Sequence, residues 1–177
     1  MNLTMFDNKL TLHQYVLFGV LVILTLWSLL TRDFVFNISF LWWLLGAMIG
    51  FLFVFTDSFI NGFLMKPEDA LGMKEGLLEL LSEKHQQKEL VMRSFLFLVV
   101  WVILGFLTVT SVTSAFARGF VLGIGTHLVF DLIYDYLWSK ERFEQWFWQI
   151  KRPLSFKEKR GFVWVVVTVY FILAFRF

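Results

Sequence analysis

Gly119-Phe120-Val121-Leu122-Gly123-Ile124-Gly125-Thr126-His127-Leu128-Val129-Phe130-Asp131-Leu132-Ile133-Tyr134-Asp135-Tyr136-Leu137-Trp138 is an apolar run broken every four residues by Gly119, Gly123, His127, Asp131 and Asp135. Successive members of such a series drift by about 40° around a helix, so neighbours share a face and the five trace a shallow spiral. The glycines at one end admit a second helix at close range. The imidazole and carboxylates at the other end are costly among apolar neighbours unless they are paired or turned toward water. The run therefore predicts a helix that packs closely at one end and carries chemistry at the other.

Four further apolar runs flank it: Tyr15 to Leu30, Phe34 to Phe55, Phe95 to Phe116 and Phe162 to Phe175. Hydrophobic residues make up 58% of the chain, phenylalanine alone fills 23 positions, and charged residues amount to 17%, against roughly 25% in a soluble domain. Since about 20 apolar residues cross a bilayer, these runs predict an all-α, polytopic transmembrane bundle of four to five spans, a single integral membrane domain over 1–177. Lys and Arg divide thirteen to three between the two sides this topology creates. That imbalance predicts a multi-pass protein of the cell inner membrane with a cytoplasmic N-terminus. The absence of cysteine excludes disulfides and thiolate chemistry. No phosphate-binding loop, dinucleotide fingerprint, serine elbow or HExxH zinc helix occurs.

Two segments lie between the runs. Over 66–92, Lys66-Pro67-Glu68-Asp69 starts a helix, and leucines at helical spacing predict an amphipathic cytoplasmic element. Over 140–160, Phe143, Trp146, Phe147 and Ile150 recur at i, i+3, i+4 and i+7, with Lys151 and Arg152 beyond them. This predicts a basic interfacial segment whose aromatic face lies in lipid and whose charge suits the anionic inner leaflet. Nucleic acid is disfavoured as a partner because the bilayer already claims those aromatics.

Gly46 and Gly50 form a small-residue face on the second run, for which helix packing is the default role and an interface with another copy in a homo-oligomer or membrane complex the alternative. His13 and Asp57 stand at the ends of the first two runs nearest Asp131 and Asp135 in depth. His13, Asp57, His127, Asp131 and Asp135 are accordingly the candidate site residues. Three functions compete for them. In the first, the His/Asp line fixes helix packing in an accessory or assembly subunit that needs no cofactor. In the second, it conducts protons or cations in a channel or transporter subunit. In the third, carboxylates and imidazoles hold a divalent metal such as Zn or Mn, which activates water against a lipid or phosphoester at the inner membrane.

The stretch Gly123 to Asp131 resembles the Gly-x-x-x-His-x-x-x-Asp element of the YdjM-like inner-membrane proteins, a group regarded as metal-dependent hydrolases. The resemblance covers about a dozen residues and implies that His127 and Asp131 are metal ligands. The group's other element, of Pro-Asp-x-Asp-His type, has no counterpart in this chain.

Overall fold

In the computed structural model the quoted run becomes one helix, and the remaining elements are arranged around it. The structure describes residues 4–31, 38–56 and 91–176. Among these lie six helices: α1 (Thr4–Thr31), α2 (Ile38–Phe53), α3 (Phe95–Ser111), α4 (Ala115–Trp138), α5 (Lys140–Gln145) and α6 (Phe156–Ala174). The helix α4 touches all the others, α3 also meets α6, and α1 also meets α2.

Serines set three of the helix starts. The Ser94 and Ser114 hydroxyls accept from Phe97 N at 3.2 Å and Ala117 N at 3.4 Å, satisfying amides that have no partner within α3 and α4. Ser155 and Glu158 cap each other's backbone N–H groups at the start of α6.

The pairing of α2 with α4 is backbone against backbone. A Cβ placed on Gly46 would run into the Phe116 carbonyl oxygen, and one on Gly50 into that of Phe120. From the other side, a Cβ on Gly119 would strike the Trp43 carbonyl and one on Gly123 that of Ala47. Four glycines from two helices thus remove the side-chain layer that normally holds helix axes 8–10 Å apart. On the opposite flank the Trp101 ring of α3 lies against Gly125, with its indole N–H donating to the Val121 carbonyl at 2.9 Å. Thr126 shares a 2.9 Å hydrogen bond with the Tyr170 hydroxyl of α6. Both polar side chains are thereby satisfied inside the core that Leu122, Leu128, Leu132, Leu98 and Leu173 fill.

This architecture corrects the expected topology. Among the described residues only α4 is long and apolar enough to cross a membrane, and 67% of its most apolar stretch is buried inside the protein, as in the central helix of a bundle. Among the described residues the helix of the run 34–55 is Ile38–Phe53, and the run 95–116 holds one of 17 residues that ends before Val112. Over Tyr15–Leu26 α1 is apolar for less than a span, and α6 spends its first turns on Lys157, Glu158, Lys159 and Arg160. A polytopic bundle of four to five spans, and with it a multi-pass inner-membrane topology, is not what these helices make.

The 140–160 segment also differs from its expectation. Its helix stops at Gln145, and Phe143, Trp146 and Phe147 point into the core, with Ile150 packed at its edge and Lys151 and Arg152 exposed. The Trp146 carbonyl accepts from Phe95 N at 2.8 Å, which pins this turn to the start of α3. The 66–92 segment lies, but for its last two residues, outside the described residues. Large apolar side chains nonetheless stand exposed on α2, α3 and α6, among them Trp42, Leu52, Ile103, Leu107, Trp164 and Phe171.

Candidate metal centre

Three elements converge on the lower half of α4. Four residues separate His127 from Asp131, so both lie on one face of that helix, and α1 brings His13 to the same point. His13 Nε2 stands 2.9 Å from Asp131 Oδ1, and His127 Nε2 stands 3.2 Å from Asp131 Oδ2. The ligand-type atoms of His13, His127 and Asp131 all lie within 4.8 Å of one another, and the three side chains are buried. Just before the Ser94 cap of α3, Arg93 reaches in, with its Nε 2.9 Å from Asp131 Oδ2.

The tautomer of His127 follows from its second nitrogen. Its Nδ1 lies 2.7 Å from the Phe51 carbonyl oxygen, and a carbonyl can only accept, so Nδ1 carries the hydrogen. In the neutral ring Nε2 then presents a lone pair, buried and without a hydrogen-bond partner, toward a carboxylate oxygen. Burial is the leading influence on His127 and pushes its pKa below the ordinary 6.5, with the Asp131 charge opposing. The neutral, lone-pair-bearing ring is the form that binds metals.

The donor set fits a divalent cation. Two imidazole nitrogens and a carboxylate form the three-ligand pattern of catalytic zinc, in which the fourth position is left to water or substrate. Tetrahedral ligands at about 2.0 Å from a metal stand about 3.3 Å apart; the 2.9 and 3.2 Å separations run to different oxygens of Asp131, and one donor atom from each residue lies within 4.8 Å of the others. The Phe51 carbonyl supplies the outer hydrogen bond that usually orients a metal-binding imidazole. Phe51 and Phe55 pack on His127 with ring centroids at 4.6 and 4.5 Å, and Phe130 packs on His13 at 4.4 Å. This aromatic wall lowers the local dielectric and strengthens each charge interaction within it.

Asp135 is not a member of the cluster of three. It lies buried one turn further along α4, where its Oδ2 accepts from the Trp146 indole N–H at 2.9 Å. The turn after α5 folds Trp146 inward and so brings its indole to this carboxylate. Asp57 falls outside the described residues. Gly46, Gly50, Gly119 and Gly123 all sit at the α2–α4 contact, above the cluster. Sequence reasoning counted Arg93 only as one of many basic residues. An isolated arginine immediately before a capping serine and a long apolar run was the available signal.

These observations correct two expectations. The description as an accessory or assembly subunit of a multi-span membrane assembly falls with the span count, as does the channel or transporter reading. The expectation of no cofactor gives way to the divalent-metal alternative, for which His13, His127 and Asp131 form a buried set of three donors. No family model matches the chain, nor does any curated protein or solved structure.

Proposed function

We propose that this protein is a metal-dependent hydrolase that holds a divalent cation, zinc in the first instance, through His13, His127 and Asp131. The observation that carries the proposal is the buried His127 Nε2 lone pair aimed at Asp131 Oδ2 across 3.2 Å. An unprotonated Nε2 and a carboxylate oxygen so placed repel unless a cation lies close to both; burial lowers the His127 pKa against the opposing charge and hydrogen bond of Asp131, and Arg93 Nε stands 2.9 Å from the same oxygen. A bound zinc would bring the pKa of a coordinated water down to about 7 and polarise an ester or phosphoryl oxygen.

The chain's own residues supply the rest. Phe51 fixes the His127 ring through its carbonyl, the phenylalanine wall excludes bulk water, and Arg93 presents positive charge beside Asp131.

The test is zinc content and hydrolysis together. Purified protein should retain about one zinc per chain and cleave a chromogenic phosphodiester or a short-chain phospholipid. His127→Ala and Asp131→Asn should lose both while keeping a cooperative thermal transition. Parent protein devoid of metal and activity after zinc supplementation would overturn the proposal. So would variants that melt earlier yet hydrolyse normally.

A further inference from the structure

We infer that the outward face of α3 and α6 is a lipid-contact surface, with acyl chains against these two helices and anionic headgroups against the basic end from which both start. The surface is separate from the metal centre and stands without it.

α3 and α6 run side by side in the same direction. Phe95 packs on Phe162 and Trp101 on Tyr170, with ring centroids 5.2 and 6.2 Å apart, and Gly105 lies against Leu173. A helix that faces water carries polar and charged residues on its outer side. Here every exposed side chain of 95–109 is apolar, and over 161–175 Thr168 is the one exposed hydroxyl. Neither stretch contains Asp, Glu, Lys or Arg. Ile103 and Leu107 are more than half exposed, and Trp164 and Val165 are 60% and 62% exposed. A contiguous apolar face of this kind marks a surface that is covered in use.

Positive charge gathers at one end of that face. Phe95 N donates to the Trp146 carbonyl, and Lys159 of α6 pairs with Glu144 of α5, so both helices start beside the 140–160 segment. That segment holds seven basic residues against three acidic ones, and Lys140, Lys151, Lys157 and Arg160 are exposed. Trp138 and Trp148 stand exposed at the same end, as indoles do at headgroup level. An apolar face bordered by basic residues and tryptophan complements an anionic lipid layer, hydrocarbon beside headgroup.

Two observations favour lipid over a second copy of the chain. Protein interfaces carry about one hydrogen bond per 100–200 Å², and the outer side of α3 and α6 offers little beyond Thr168 and the Trp164 indole. On the opposite flank of α4, α2 also turns Trp42 and Leu52 outward, whereas a two-fold interface covers a single patch. Acyl chains require no hydrogen bonds and cover either flank. Contact of this kind is made by the side of a packed bundle and assigns no span to any helix.

Because the chain has no cysteine, a spin label can be placed at one position at a time. Labels go on Ile103→Cys and Val165→Cys in the apolar face and on Lys151→Cys at the basic end, and the full chain is diluted from detergent onto vesicles of phosphatidylcholine and phosphatidylglycerol in equal parts. At 103 and 165, collisions with oxygen, which concentrates in hydrocarbon, should exceed those with a water-soluble nickel chelate; at 151 the order should reverse. In flotation, replacing both Lys151 and Lys157 by Gln should weaken binding to these vesicles about twenty-fivefold, roughly fivefold for each charge. Binding to pure phosphatidylcholine vesicles should change by less than about twofold.

A chain that stays off the vesicles, or labels at 103 and 165 that meet nickel as freely as the label at 151, would overturn the inference. A stable dimer with both face labels shielded from oxygen and nickel alike would give the face to a second copy and overturn it equally. Unchanged binding of the Lys-to-Gln variant to the anionic vesicles would overturn the role of the headgroups. Should Ile103→Cys fail to fold, Leu107→Cys one turn along the same face serves in its place, with the same expected order of collisions.

Discussion

The two halves of α4 solve opposite packing problems with the same four-residue spacing. Above, Gly119 and Gly123 bring α2 in until its backbone rests on that of α4. Below, Asp131 holds His13 of α1 and Arg93, two residues before α3, through polar atoms 2.9 Å apart, with His127 on its own helix at 3.2 Å. The glycine half gains dispersion and loses nothing to desolvation; the polar half gives up hydration of four side chains and recovers it only if every charge is matched. Close backbone packing therefore belongs to the upper half, and ligand chemistry to the lower.

Substitutions can break that division, and the largest effect should come from the lower half. Asp131→Ala leaves Arg93 buried beside two imidazoles, which by the usual cost of breaking a buried pair destabilises by about 3–5 kcal/mol. Denaturant melts and metal analysis should show the stability loss together with complete loss of zinc.

Next in size is the upper half. Gly123→Ala drives a methyl into the Ala47 carbonyl, an overpacking cost of about 1–3 kcal/mol. Zinc stoichiometry should stay at the parent level, and a Gly123→Ala protein that folds yet binds no zinc would merge the two halves into one unit. Trp146→Phe removes the donor to the buried Asp135 carboxylate and should cost about 1.5–3 kcal/mol, as for other hydrogen bonds to charged groups. Zinc should again remain bound.

Acidity sharpens the contrast more gently. His127 has a native pKa held below its ordinary value by burial. Its contribution to metal-free stability is thus complete above about pH 6.5 and is lost as pH falls from there through the lowered native value. A pH series of melts on the chelator-treated protein should show this slope, and His127→Gln should flatten it. The smallest effect belongs to a site remote from both halves. Glu158 is held down to about 2 by its hydrogen bond to Arg152 and those to Ser155. Its capping of α6 is present above the usual carboxylate range and lost as pH falls through about 2, visible as faster amide exchange in the first turn alone.

Much of this arrangement was legible in the residues, for identifiable reasons. A four-residue repeat is a geometric statement about a helix face, so the α4 line and the small-residue face of α2 could be read from spacing, and the depth of His13 from its place at the end of the first run. The number of spans could not, because apolar composition marks where a chain avoids water without saying where a helix ends. Ser94 and Ser114 start α3 and α4, Val112 ends α3, and the charged first turns of α6 shorten its apolar part. The aromatic side of 140–160 misled in the same way. The spacing of Phe143, Trp146 and Phe147 defines a face, and only the turn after Gln145 determines that the face looks inward. Arg93 was invisible for a different reason: its partner lies on another element, and charge order along the chain does not encode that meeting.

One consequence of how α1 is seated remains. Among its described side chains only His13 and Leu24 are buried, with Val20 packed at the edge of the core, so an imidazole is one of the few described side chains that seat this element. Whatever occupies that imidazole also governs how firmly the N-terminal arm is clamped. Protease cleavage near Leu12 should thus slow when zinc is added and speed up when a chelator strips it away.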